Sequence, residues 1–329
     1  MSRARNKKNL ALRGVVIVLV AVFLISTVFF CLGMWERSHS TYSKPDMERE
    51  TKTFEGAEYV LKDGIESFLI LGLDKYEGSL GSESYNNDQQ ADFLMLFVFD
   101  NNEKTFKALH INRDTMTGVN VLGVAGQTIG KETCQIALSH TYGNGKDVSC
   151  RNAADAVSEL LLGAKVNHYL SLKLDAVPKL NDVLGGVEVE ILDDFSGIDD
   201  HLVKGEKVLL KGDQALTYVR TRKGLEDSSN FSRMKRQRQY IDAMYQTWQA
   251  KAKAETDFSA SALIEISEYL CSDRSVTQLQ DLTDKFETYE FLGIESLTGQ
   301  QKEGEKFLEF YPDADSVQKN VIDLFYKEK

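Results

Sequence analysis

Residues 92–115 read DFLMLFVFDNNEKTFKALHINRDT, and the division of this stretch into elements decides the fold. An apolar run fills 93–99 between two aspartates, Asn101 and Asn102 supply a turn, and 105–112 make a further strand that emerges into Arg113, Asp114 and Thr115. One run before it, FLILGLD at 68–74, likewise ends in a glycine and a carboxylate. Such runs are continuous rather than alternating, which is the pattern of strands buried on both faces. The implied class is α/β, a sheet covered by helices on both sides, with Asp74, Asp92 and Arg113 delivered at strand ends.

The rest of the chain alternates in the same way. Helical spacing is expected at 130–141, 152–162 and 175–184, with strands at 168–174 and 187–191. Residues 214–219 lead to Arg220, and Ser232 is a plausible cap for a helix running to about Lys253. On that helix Arg233, Arg236, Gln237 and Tyr240 share one face. Two more helices (259–270, 276–289), two strands (290–297, 306–311) and an amphipathic helix (314–326) complete the reading.

Residues 220–239, RTRKGLEDSSNFSRMKRQRQ, gather Arg220, Arg222, Lys223, Arg233, Lys235, Arg236 and Arg238 in a chain of net charge -11. Like charges repel, so such a cluster in an acidic protein points to a multiply charged anion, and guanidinium forks suit phosphate oxygens. The alternative is a solvated helix face with i,i+4 charge spacing.

Arg3, Arg5, Lys7, Lys8 and Arg13 precede an uncharged run at 14–33. A helix crossing the hydrocarbon core needs about 20 apolar residues, and flanking cations stay cytoplasmic. The expected layout is a cytoplasmic 1–13, a transmembrane signal-anchor at 14–33, a polar stalk at 34–63, and an extracytoplasmic domain at 64–329 whose last part, from about 255, is an α/β extension. A cleaved signal peptide fits less well, because the run exceeds an h-region and lacks a small-x-small site. Of the four cysteines, Cys134 and Cys150 bracket a Gly/Asn-rich turn, where a disulfide and two free thiols are both open readings. The five histidines show no zinc spacing.

Taken in order, L-I-L-G-L-D (69–74), A-D-F-L-M-L (91–96), I-N-R-D-T (111–115), L-N-D-V-L-G-G-V-E-V (180–189), K-G-D-Q-A-L-T-Y-V-R-T-R-K (211–223) and S-R-M-K-R-Q-R (232–238) resemble the LytR-CpsA-Psr family. The resemblance implies a central twisted mixed sheet flanked by helices, with an apolar tunnel for a lipid and an arginine-rich mouth. It implies transfer of a phosphate-linked glycopolymer, such as a teichoic acid or capsular polysaccharide, from a polyprenyl-pyrophosphate carrier to a peptidoglycan acceptor. Mg²⁺ would be held by Asp74 and Asp92. Arg113, Arg220 and Arg222 would clamp the pyrophosphate, with Arg233, Arg236 and Gln237 on the following helix. Asp92, Arg113 and Asp114 would form the catalytic set, Asp114 being equally readable as an orienting partner of Arg113.

Three positions depart from the commoner family pattern: Gln90-Ala91 where an arginine and a serine are frequent, Asn112 in place of a proline, and Asn230 in place of an aspartate. Asparagine accepts a hydrogen bond but cannot act as a base. A second reading is therefore a membrane-anchored binding protein or scaffold for lipid-linked wall precursors. A nucleic-acid binder is excluded by the expected topology, since about a dozen cytosolic residues are too few for such a module. A reporter fused after Lys329 is expected to be active only outside the cytoplasm; activity inside would remove the wall from the protein's reach.

Overall fold

Two short strands open the described chain, where the sequence predicts a polar stalk. The computed structural model describes residues 49–75, 85–305 and 307–329. β1 (Thr51–Phe54) and β2 (Ala57–Leu61) pair antiparallel, and the chain's final strand adds to β2, with Tyr326 opposite Leu61. A local reading cannot see a partner that distant in sequence, so the folded unit begins at Glu50 rather than at Gly64. The run at 14–33 lies outside the described residues, among which no helix is long and apolar enough to cross a membrane.

β3 (Ile65–Lys75), β4 (Gln89–Asp100) and β5 (Thr105–Ile111) form an antiparallel meander, with Phe68 opposite Phe97 and Leu96 opposite Leu109. The turn between β4 and β5 is closed by Asp100, whose Oδ1 accepts from the Asn102 and Glu103 amides. β6 (Met116–Leu122) and β7 (Thr128–Gln135) then make a hairpin, followed by a 3₁₀ turn at Ile136–Thr141. This corrects the helix expected at 130–141. Almost all of β7 is exposed, so no apolar periodicity marks it, and pairing with β6 decides its conformation.

The chain continues through α1 (Asp147–Leu160), β8 (His168–Lys173), α2 (Val177–Val183), β9 (Val187–Glu190), β10 (Lys207–Leu210), α3 (Asp213–Arg220) and α4 (Asn230–Ala254). The cap of α4 is Ser229, whose side chain accepts from the Ser232 amide; Ser232 is the donor rather than the cap. Then follow α5 (Phe258–Ile266), β11 (Leu270–Ser272), α6 (Val276–Thr288), β12 (Glu290–Ser296), β13 (Gly299–Glu303), β14 (Leu308–Pro312), α7 (Ala314–Phe325) and β15 (Tyr326–Glu328).

The central sheet runs β11-β8-β3-β4-β5-β12, mixed in sense, with β8 parallel to β3 and β12 parallel to β5. Alternate residues of β3 to β5 supply opposite faces. Leu69, Leu71, Leu94, Leu96 and Leu109 pack with α1 and α7, whereas Phe68, Met95, Phe97, Phe99 and Phe106 pack with α5 and α6. Each fully buried side chain of this kind contributes about 1.5–3 kcal/mol. A third cluster joins α2, α3, β9 and β10 to the flank of α4. Between the aromatic face of the sheet and α4 to α6 lies an apolar cavity of about 210 Å³, lined by Ile70, Phe93, Phe97, Leu172, Tyr240, Tyr245, Trp248 and Phe286 among others.

Cys134 and Cys150 are both free, and Cys150 is instead in side-chain contact with Cys271 of β11. That contact lowers the Cys271 thiol below its ordinary value, while burial pushes Cys134 up to about 12 and Cys150 also lies far above its ordinary value. Since the thiolate is the nucleophile, iodoacetamide at pH 8 is expected to label Cys271 at least about tenfold faster than Cys134 or Cys150. Peptide-level mass spectrometry checks this; equal rates would refute it.

Candidate functional site

The carboxylates are placed by an irregularity in the β3–β4 ladder. Gly72 pairs with Phe93 and Leu73 with Ala91, so Asp92 is the extra residue of a bulge, just before the Leu73–Ala91 and Asp74–Gln90 pairs. A bulge turns the strand locally and re-aims a side chain. Gly72 permits it, because a Cβ there would meet the Cβ of Phe93 at 2.9 Å. Asp74 and Asp92 thus share one rim of the sheet, near the end of β5 that carries Arg113.

Each carboxylate is met by a guanidinium. Arg220, the last residue of α3, grips Asp74 in two parallel bonds, Nε to Oδ2 and Nη2 to Oδ1, both 2.9 Å. Arg113 bonds Asp92 through Nη1 and donates from Nη2 to Gln90 Oε1 at 3.1 Å. Its Nε lies 3.4 Å from Asp114 Oδ1. Arg233 Nη1 is 4.0 Å from Asp92 Oδ2, and its Nε and Nη2 both donate to Asn230 Oδ1, at 3.1 and 2.6 Å. Asn230 donates in turn to Asn112 Oδ1 at 2.7 Å, which also accepts from the Asp114 amide.

The two asparagines read in sequence as separate departures are therefore one hydrogen-bonded pair that orients Arg233 and the Arg113 turn. Gln90, where an arginine is frequent, is an acceptor for Arg113. These three, with Gln135, which donates to Asp114 Oδ1 at 3.1 Å, are the site residues that motif matching does not assign a role. The mutual contact of Asn112 and Asn230 was detectable only as two departures at motif positions.

Charge at the site is unbalanced. Arg222 lies within electrostatic range of Asp114 and Arg233 and has no hydrogen-bond or ion-pair partner among the described residues. Burial, with the repulsion of Arg113 and Arg222, draws Arg233 down to about 10 against the opposing pull of Asp92. Burial also raises the Asp114 carboxyl, which Arg113 and Arg222 partly offset. Beside the arginines His110 is wholly buried; burial first, then Arg238 and Arg233, lower it to about 3, so it adds no charge. Arg113, Arg222 and Arg233 thus converge where the paired carboxylates do not fully balance them, and a partly dry cluster of this kind is chemically suited to a polyanion.

Two of the expected anion ligands do something else. Arg236 is fully buried: Nε donates to the Tyr218 carbonyl at 2.9 Å, Nη2 to the Thr221 carbonyl, and Nη1 pairs with Asp193. Gln237 donates to the Val219 carbonyl at 3.1 Å. Helix ends leave their last carbonyls without partners. Arg236 and Gln237 satisfy those of α3 and so hold Arg220 and Arg222 in place; Arg236 is committed through all three nitrogens, whereas Gln237 gives one Nε2 bond and also lines the apolar cavity. Sequence places both on the correct face of α4, but that face also packs on α3.

For a divalent cation the donor chemistry fits in kind. Mg²⁺ beside phosphates is commonly held by one or two carboxylates, with water and phosphate oxygens completing the shell. Asp74 and Asp92 would supply that pair, and no cluster of three or more ligating side chains occurs among the described residues.

The LytR_cpsA_psr family profile matches residues 28–323. The polyisoprenyl-teichoic acid–peptidoglycan teichoic acid transferase TagU of Bacillus licheniformis is 26% identical over 245 residues, 74% of this chain and 72% of that protein. TagU of Halalkalibacterium halodurans is 34% identical over 179 residues, 54% of this chain, a match that spans about half (51%) of the relative's length. In fold, the structure of TagT bound to LIIa-WTA superposes with a TM-score of 0.58 at 24% identity, covering 80% of this chain and 90% of that one.

Bracing and ligand-facing arginines separate by stability. Removing one partner of a buried pair costs about 3–5 kcal/mol, so Arg236→Ala should unfold at much lower denaturant. Arg220→Ala, at a half-exposed pair, should change stability by less than about 1 kcal/mol. Equal losses in the two variants would contradict this division of roles.

Proposed function

The chain belongs to the LytR_cpsA_psr family, and from that membership we propose that it transfers a phosphate-linked glycopolymer of the teichoic acid class from a polyprenyl-pyrophosphate carrier to peptidoglycan. The observation that carries this reading is adjacency. The apolar cavity reaches Val219 and Gln237, and Val219 directly precedes Arg220 at the edge of the arginine cluster. An apolar chain and a polyanion joined end to end are what a polyprenyl pyrophosphate presents. The relatives named as transferases of polyisoprenyl-linked teichoic acid support the same reading.

In the proposed reaction an acceptor hydroxyl attacks the phosphorus that bears the glycopolymer. A new P–O bond forms, the bond to polyprenyl phosphate breaks, and the hydroxyl proton passes to Asp92. Arg113 and Arg220, clamped on carboxylates without ligand, would exchange part of those contacts for phosphate oxygens, joining Arg222 and Arg233. Asp114, raised by burial and bonded to Gln135, orients Arg113. Mg²⁺ held by Asp74 and Asp92 would neutralise developing charge on the phosphates. The run at 14–33 would keep the domain at the outer membrane surface, beside its lipid carrier.

The replacement of a carboxylate by Asn230 beneath Arg233 favours, as a second reading, a protein that holds such precursors without turnover. Incubation with a polyprenyl-pyrophosphate glycan and peptidoglycan decides between them, since release of polyprenyl phosphate requires transfer or hydrolysis. Asp74→Asn and Asp92→Asn are expected to abolish Mg²⁺-stimulated transfer while leaving the fold intact. Arg222→Ala is expected to weaken binding of a polyprenyl-pyrophosphate analogue by about 1.5–3 kcal/mol. Unchanged metal dependence in the aspartate variants would overturn the metal assignment, and tight binding without release in the wild type would establish the second reading.

A further inference from the structure

Beside the phosphate site, along a different face of α4, lies a second cleft of about 380 Å³ whose chemistry is unlike that of the lipid cavity. The cavity meets α4 through Gln237, Tyr240, Ile241, Met244 and Trp248; the cleft meets it through Phe231, Ser232, Met234, Lys235 and Arg238. Its floor is Asn112, the residue that ties Asn230 and so Arg233.

Three features mark this cleft as a binding surface. Phe231 is 42% exposed, and its ring is held by an edge-to-face contact with Phe310, centroids 5.7 Å apart at 78°. Lys235 and Arg238 are cations with no hydrogen-bond or ion-pair partner among the described residues. Asp193 and Asp227 face the same space, Asp193 Oδ2 pairing with Arg236 and accepting from Ser232 Oγ at 2.7 Å, which leaves its other oxygen and Asp227 to the cleft. A fixed, half-exposed aromatic ring suits the C–H face of a pyranose, carboxylates suit its hydroxyls and amides, and free cations suit acidic substituents.

Reaction geometry selects which sugar. Phosphoryl transfer sets the attacking and leaving oxygens roughly in line across phosphorus. The leaving polyprenyl phosphate, on the reading proposed above, occupies the apolar cavity, so the attacking hydroxyl needs a separate, polar approach. We propose that this cleft is the acceptor subsite. It takes the amino-sugar strand of peptidoglycan, one ring on Phe231 and the acidic lactyl or peptide groups at Lys235 and Arg238, and presents a sugar hydroxyl to the phosphate at Arg113 and Arg233.

The test uses the full chain in detergent with two probes, a peptidoglycan tetrasaccharide bearing its stem peptides and a short-chain polyprenyl-pyrophosphate glycan. Phe231→Ala and Lys235→Glu are expected to weaken tetrasaccharide binding by titration calorimetry roughly tenfold. They should raise the acceptor KM similarly, with the donor Kd unchanged. Phe231→Trp should preserve both. Wild-type tetrasaccharide affinity in both weakened variants, or no binding by the wild type, overturns the proposal. So does a parallel loss of donor affinity, which would make this the donor's own sugar site. Glycan binding is read without donor, so a wild type that binds the tetrasaccharide but never releases polyprenyl phosphate sinks the transfer reading and keeps the subsite.

Discussion

A guanidinium taken wholly out of water needs a partner at each nitrogen, and Arg236 meets that demand by bonding the end of α3 and pairing with Asp193. The consequence reaches the surface. Held by its carbonyls, α3 ends where Arg220 can grip Asp74 from outside the sheet, and Arg222 follows in an extended segment aimed at Arg233 and Asp114. Removing the buried cation would loosen the exposed ones, although it touches no ligand. A basic stretch of sequence therefore divides into a brace, Arg236, and guanidiniums that face the site, and the partners each one bonds distinguish them.

Around that brace the site is organised as mutual repulsion among Arg113, Arg222 and Arg233, relieved in part by Asp92 and Asp114. Without ligand, Arg113 and Arg220 rest on aspartates, which lowers the energy of the free protein and keeps the side chains in place. A pyrophosphate would have to compete with those carboxylates, and a divalent cation that neutralises them would make the exchange easier. The arginines and the two carboxylates are thus parts of one electrostatic arrangement.

The asparagine pair Asn112–Asn230 gives the chain a local character of its own. Both occupy positions where the commoner family pattern has other residues, and they bond each other at 2.7 Å. A neutral amide can hold Arg233 by its oxygen while leaving the guanidinium's charge uncompensated. An external anion at Arg233 would then meet less competition than a carboxylate at 230 would give. Asn112 also lines the polar cleft along α4.

Sequence by itself determined the meander of β3, β4 and β5, the long helix α4 and the residues at its strand ends, because continuous apolar runs and helical spacing are local consequences of burial. The motif series also identified the family. Only the tertiary structure decided the rest. β1 and β2 exist through a partner strand at the other end of the chain, β7 through its hairpin mate, and neither relation leaves a periodic trace in solvent-facing residues. Cys150 meets Cys271 rather than Cys134 because α1 packs on β11. Arg236 and Arg233 carry the same charge three residues apart on one helix; that one braces α3 while the other faces the site follows from which neighbours bond each guanidinium, a property of packing in three dimensions that no spacing along the chain encodes.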